Sequence, residues 1–185
     1  YKIVISRIVG GEAMGLVQLI LPLYFSFISI VAYGIPIAIS STVARHRAQN
    51  NTQALRDPIT ASLMGICVLS SILFLLFIFN LNFFSSKLLR YGKTKLPLLL
   101  LSPCIVIIGV KSIFRGYFYG TKKVHIPALS DILEQIIRIG LVLLLFYYVG
   151  PEDIELSACI IVIGMTIGEL ISLLYLHVKF HNILK

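Results

Sequence analysis

No charged residue occurs between Ile59 and Phe84, and that single run excludes most of what a chain can become. Crossing the roughly 30 Å hydrocarbon core of a bilayer takes about 20 apolar residues in a helix. Comparable runs recur at about 16–43, 96–119, 126–149 and 156–178, and residues 1–9 read as the tail of a further one. The composition agrees, with 58% hydrophobic and only 13% charged residues, where a soluble domain carries about a quarter charged. Inside lipid, every backbone N–H and C=O must be satisfied within the protein, which leaves helices for apolar runs of this length. The expected fold class is therefore all-α integral membrane, with five full spans behind a truncated first one and short loops between them.

The punctuation of these runs gives local detail. Gly10 to Gly15 reads as a turn, and Pro22 and Gly34-Ile35-Pro36 interrupt the second run, predicting a kink or gating point at Gly34 and Pro36. Such breaks are tolerated where neighbouring groups satisfy the freed carbonyl. Pro97 and Pro103 interrupt the fourth run, and a polar turn with Gly116, Gly120, Lys122 and Lys123 separates it from the fifth. Cys67, Cys104 and Cys159 each lie inside an apolar run and read as small buried hydrophobes. The chain starts at Tyr1 and ends just after a helix, which suits a portion of a longer membrane protein.

The net charge of +8 would suggest nucleic acid in a soluble domain. Here the loops hold most of the Lys and Arg, as cytoplasmic membrane loops do, so no nucleic-acid partner is expected. Loops 44–58 and 116–125 and the C-terminal tail carry eight Lys and Arg when Arg115 is included, against four in the 85–95 loop. Since Lys and Arg set orientation and acids contribute little, the first set is expected on the cytoplasmic side.

A smaller group of charges lies inside the apolar runs, where ionisable residues are costly and default to function. Asp131, Glu134 and Arg138 are spaced three and four apart, so one helix face carries all three. At 1.5 Å per residue from Pro127, they lie about 6, 10 and 16 Å deep. Asp131 also suits the first turn of its helix electrostatically, and Glu134 with Arg138 forms an internal i,i+4 pair of favourable order. A hairpin turning near Gly120 puts Lys111 at the depth of Asp131, while Glu169 reaches mid-depth on the last helix. Lys111 and Arg115 either join these acids or snorkel to the interface. Three cations (Lys111, Arg115, Arg138) then face three acids (Asp131, Glu134, Glu169), with Arg7 left over for an anionic ligand. Gly164 and Gly168 form a GxxxG pair that lets another helix approach closely. The sequence holds no P-loop, nucleophile elbow or HExxH, and the four histidines lie at loop or interface positions. No catalytic residue, metal or cofactor is expected.

Several of these residues carry a family resemblance. Gly15-Leu16, Gln18, Pro22-Leu23-Tyr24, Gly34-Ile35-Pro36 and Ile39-Ser40 in the second run resemble polysaccharide-biosynthesis membrane proteins of the stage V sporulation protein B type. Phe114-Arg115-Gly116-Tyr117-Phe118 with Gly120, then Pro127, Ser130, Glu134-Gln135 and Arg138, extend the likeness over nearly the whole chain. Asp131 stands where the pattern has Gln, Tyr119 where Gln is common, and Ser41 where Lys is frequent; Pro127 lies one residue closer to Ser130 than usual.

The resemblance implies the multidrug/oligosaccharidyl-lipid/polysaccharide exporter superfamily, with two six-helix lobes in a MATE/MviN-like fold. Residues 1–185 would be the N-terminal lobe and the C-terminal lobe a separate stretch, in a multi-pass protein of the bacterial cell membrane. It implies a flippase for an undecaprenyl-pyrophosphate-linked sugar, a lipid II-like cell-wall (peptidoglycan) or polysaccharide precursor. Arg7 and Arg138 would hold the pyrophosphate, with Lys111 and Arg115 as further cations. Asp131, Glu134 and Glu169 would pair with them or respond to a coupling cation. Two other readings remain at this stage: a cation-coupled multidrug exporter working through the acids, and a membrane scaffold for envelope synthesis docking through loop 44–58.

Overall fold

The structure, a computed structural model, describes residues 10–32, 34–48, 56–150 and 153–184. Among these it is helical throughout, with no strand. The helices are α1 (Gly11–Ala32), α2 (Gly34–Ala48), α3 (Arg56–Phe79), α4 (Lys95–Leu101), α5 (Pro103–Gly120), α6 (His125–Val149) and α7 (Ile154–Leu184). Five stretches, Gly11–His46, Ile59–Phe79, Gly92–Gly120, His125–Val149 and Ile154–Asn182, are long and apolar enough to cross a membrane. The protein is an all-α membrane protein. The partial first span, with Arg7, lies outside the described residues.

Boundaries moved where side chains compete with the backbone. The expected Gly10–Gly15 turn shrinks to Gly10, whose φ of +83° suits glycine, and α1 begins at Gly11 with Glu12 in its first turn, favourable for the helix dipole. The run expected to reach Phe84 breaks at Asn80, whose side-chain amide donates to the Leu76 carbonyl at 2.9 Å, offering the chain an alternative to further helix. It resumes as a π-helical turn, Phe83–Leu88. The basic 85–95 loop is ordered by Thr94, which donates to Ser85 Oγ at 3.0 Å or to the Tyr91 carbonyl at 2.7 Å. At Ser102, Pro103 offers no N–H to the Leu99 carbonyl, and the Ser102 hydroxyl donates to that carbonyl instead at 2.7 Å. The fourth run thus stays continuous through its proline. The kink expected at Gly34 and Pro36 falls beside position 33, outside the described residues; α2 begins at Gly34.

Helix α5 is the centre, packed against α1, α2, α3 and α7. The sequence suggests an α5–α6 hairpin of neighbouring helices, yet these two meet only sparingly, and α6 packs chiefly on α7. Gly116 and Gly120 explain part of this. Both lie inside α5, in place of the expected turn, which occupies residues 121–124. A Cβ on Gly116 would sit 2.8 Å from the Pro36 carbonyl oxygen, and one on Gly120 would sit 2.7 Å from that of Ser40. Small residues let backbones approach, and here they join α5 to α2.

Two apolar clusters result. One gathers Ile20, Tyr24, Cys104, Ile105, Val142 and Met165; the other gathers Val31, Val43, Ile113, Phe118, Ile126 and Leu176. The outward faces of α3 (Met64, Val68, Ile72, Phe79) and α6 (Ile132, Ile136, Leu144, Tyr147) are exposed and apolar, as a lipid-facing surface requires. Cys67, expected buried, is on this exposed surface, while Cys104 and Cys159 are buried.

Overpacking a tight contact costs about 1–3 kcal/mol. Gly120→Leu is therefore expected to lower the thermal midpoint of the purified protein, as is Gly116→Val. Gly140→Ala, with nothing within 4 Å of its added Cβ and a better helix former in place of glycine, keeps or slightly raises the midpoint in the same melting experiment.

Candidate functional site

The intramembrane charges converge between the two apolar clusters. Along α5, Lys111 lies between Ile105 of one cluster and Ile113 of the other; Glu134 lies between Ile126 and Val142, and Glu169 between Met165 and Leu176. Three helices thus place their charges at one level. Gly164 and Gly168 bring α7 onto α6 there. A Cβ on Gly168 would sit 3.1 Å from the Glu134 carbonyl oxygen, and one on Gly164 would sit 3.3 Å from that of Arg138.

Lys111 is the hub. Its side chain is only 4% exposed, and its Nζ donates to Glu134 Oε2 at 2.6 Å and to Glu169 Oε2 at 2.8 Å. Asp131 Oδ1 stands 3.8 Å away. Of the two options open to Lys111, pairing holds and snorkelling does not. Glu134 is buried and uses both oxygens, since its Oε1 accepts from Arg138 Nη2. Arg115 Nη2 reaches Asp131 Oδ2 at 2.9 Å and stands 3.4 Å from the Tyr119 hydroxyl.

Exposure grades across this network. Arg115 and Asp131 side chains are 32% and 44% exposed, whereas those of Arg138 and Glu169 are each 13% exposed. The inner group is largely buried, and its attractions are correspondingly stronger. With Lys111, Arg115 and Arg138 against Asp131, Glu134 and Glu169, the assembled charge is formally zero, which makes burial tolerable. Among the described residues one buried side-chain group is unsatisfied: Arg138 Nε has no hydrogen-bond partner there. A buried donor left unpaired costs about 1–3 kcal/mol.

Uncharged polar pairs add ties among these helices and from α7 to α4. Ser130 and Ser172 share a hydrogen bond at 2.6 Å between α6 and α7. Thr166 on α7 reaches the Leu100 carbonyl at 3.1 Å and accepts from Cys104 Sγ at 3.4 Å.

Six of the residues singled out in the sequence are therefore one network: Lys111, Arg115, Asp131, Glu134, Arg138 and Glu169. Arg7 lies outside the described residues. Pro36 belongs to the α2–α5 contact rather than to the charges, its carbonyl against Gly116, while Gly34 is exposed at the start of α2 with nothing within 4 Å of an added Cβ. Counting depth along single helices did not identify Lys111 as the hub or Ser130 and Ser172 as partners. The Gly116–Gly120 spacing was a usable signal for the α2 contact.

The family model described as "Polysaccharide biosynthesis protein" matches residues 1–185. The chain belongs to this family. It is 36% identical over 179 residues to stage V sporulation protein B of Bacillus subtilis (strain 168), covering 97% of this chain and 35% of that protein. Sporulation protein YkvU of the same organism is 25% identical over 181 residues, covering 97% of this chain and 38% of that protein. The same organism's lipid II flippase MurJ is 26% identical over 148 residues, covering 75% and 27%. The chain thus spans about a third of the length of these relatives. No solved structure matches it.

The exposure gradient sets an order of interaction strength. A double-mutant cycle on Arg115 and Asp131, read by thermal unfolding, is expected to give a coupling of about 0–1 kcal/mol. The cycle on Lys111 and Glu134 is expected to give about 2–5 kcal/mol. Equal couplings would contradict the gradient.

Proposed function

We propose that this chain is one lobe of a flippase that carries an undecaprenyl-pyrophosphate-linked sugar across the bacterial cell membrane by alternating access against a second lobe. The reading rests chiefly on one observation: an arginine at membrane depth, Arg138, is anchored through Glu134 while part of its side chain, 13% of its surface, stays exposed. A guanidinium presents several donors in a planar fork suited to phosphate oxygens. Anchoring part of that fork and leaving the rest available is what a pyrophosphate-binding arginine needs. Family membership and a relative named for lipid II flipping support the lipid-linked class of substrate.

In this reading Arg7 joins Arg138 at the phosphates, and Arg115 draws the headgroup in from the more exposed edge. Glu134 and Glu169 orient cations; both already accept hydrogen bonds from Lys111. That pairing favours the arginines over the acids as working groups, and so favours the flippase over a cation-coupled drug exporter. Gly34 and Pro36 serve as the hinge between α1 and α2, and segment 44–58, the 121–124 turn and the C-terminal tail face the cytoplasm.

Charge-assisted contacts to phosphate are roughly twice as strong as neutral ones. Arg138→Ala in the full-length protein is accordingly expected to cut translocation of a labelled undecaprenyl-pyrophosphate sugar by at least about tenfold in proteoliposomes. Translocation at the wild-type rate would exclude Arg138 from the substrate path.

A further inference from the structure

We infer that Lys111 is the positioning residue of this site: its ammonium occupies Glu169 so that Arg138 answers to one carboxylate and keeps donors for an anionic headgroup. The inference rests on the reading of Arg138 as a phosphate-binding residue.

Glu134 and Glu169 come from different helices, and both aim at the same ammonium, at 2.6 and 2.8 Å. Arg138, at the same level, makes its ion pair with Glu134. Gly168, the residue before Glu169, stands against Arg138, with its added Cβ only 3.6 Å from Arg138 Cβ. Without Lys111, the inner group would be two carboxylates and one guanidinium. In a buried site, an uncompensated carboxylate is driven to a cation within reach, and Arg138 is near. Two carboxylates on one guanidinium would consume the donors that a phosphate needs.

The other charged groups facing Lys111 do not supply this control. Asp131, at 3.8 Å from Lys111, is held by Arg115 at 2.9 Å and is partly exposed. Lys111 is buried to 3% of its surface, and both of its close contacts are carboxylates. It is placed to set the charge seen by Arg138, and too enclosed to meet the substrate itself.

The distinguishing variant pairs two changes. Lys111→Met removes the ammonium, and Glu169→Gln in the same molecule removes the carboxylate that the ammonium controlled. The full-length protein in nanodiscs is titrated with undecaprenyl pyrophosphate, reading Kd and the number of sites separately. Lys111→Met is expected to weaken Kd by about tenfold, with Lys111→Met/Glu169→Gln and Lys111→Arg within about threefold of wild type. A purely structural role would instead lower the number of sites and leave Kd alone, and that result overturns the inference. A folded double variant that still binds about tenfold more weakly overturns it equally. If Lys111→Met yields no folded protein, the double variant and Lys111→Arg decide alone, by the same limits. Arg138→Ala separates the two levels. If it abolishes binding while the Lys111 series stays at wild-type Kd, only the positioning role falls; if it binds as wild type, the phosphate reading falls with it.

Discussion

An ammonium clasped by two carboxylates between two apolar clusters is the constraint on which the rest of this structure depends. Lys111, Glu134 and Glu169 come from three helices, and each is prohibitively costly to bury alone. Together they are tolerable only if α5, α6 and α7 hold one relative depth and rotation. Sliding one helix by a turn, about 5.4 Å, would strand at least one charge against the apolar residues of Ile113 or Val142. Apolar contacts in a bilayer have little power to set such a register, because lipid and leucine are nearly equivalent neighbours. The charge cluster supplies specificity that the apolar faces lack.

The glycines make that geometry possible. Gly164 and Gly168 seat α7 on the Glu134–Arg138 stretch of α6, while Gly116 and Gly120 seat α2 on α5. Both pairs have the same spacing and the same physical role, close approach of two backbones. One serves the charged layer directly and the other braces the helix that carries Lys111. The outer faces of α3 and α6 carry no comparable demand, and they are simply apolar.

This arrangement also grades the accessibility of the charges. Charged contacts confined to one layer, with Arg115 and Asp131 at its more exposed edge, keep the inner group together while leaving an accessible rim. An anion approaching from the rim would meet Arg115 before Arg138. The balance of three cations and three acids means that an added anion changes the sign of the site, giving it differential affinity for any rearrangement that brings in more positive charge.

The sequence by itself determined the class of fold and the identity of the charges. Uncharged runs longer than 20 residues admit only helices in a membrane, and the three-and-four spacing of Asp131, Glu134 and Arg138 puts them on one face whatever their neighbours are. The family pattern was legible too, since it rests on short local strings around Pro22, Gly34 and Arg115. Tertiary structure alone decided who meets whom. Whether Lys111 snorkels or turns inward depends on carboxylates 23 and 58 positions away, and no local periodicity encodes that. Adjacency in sequence suggested that α5 and α6 pair, but glycine-mediated close approach made α7 the main partner of α6 and α2 a close partner of α5.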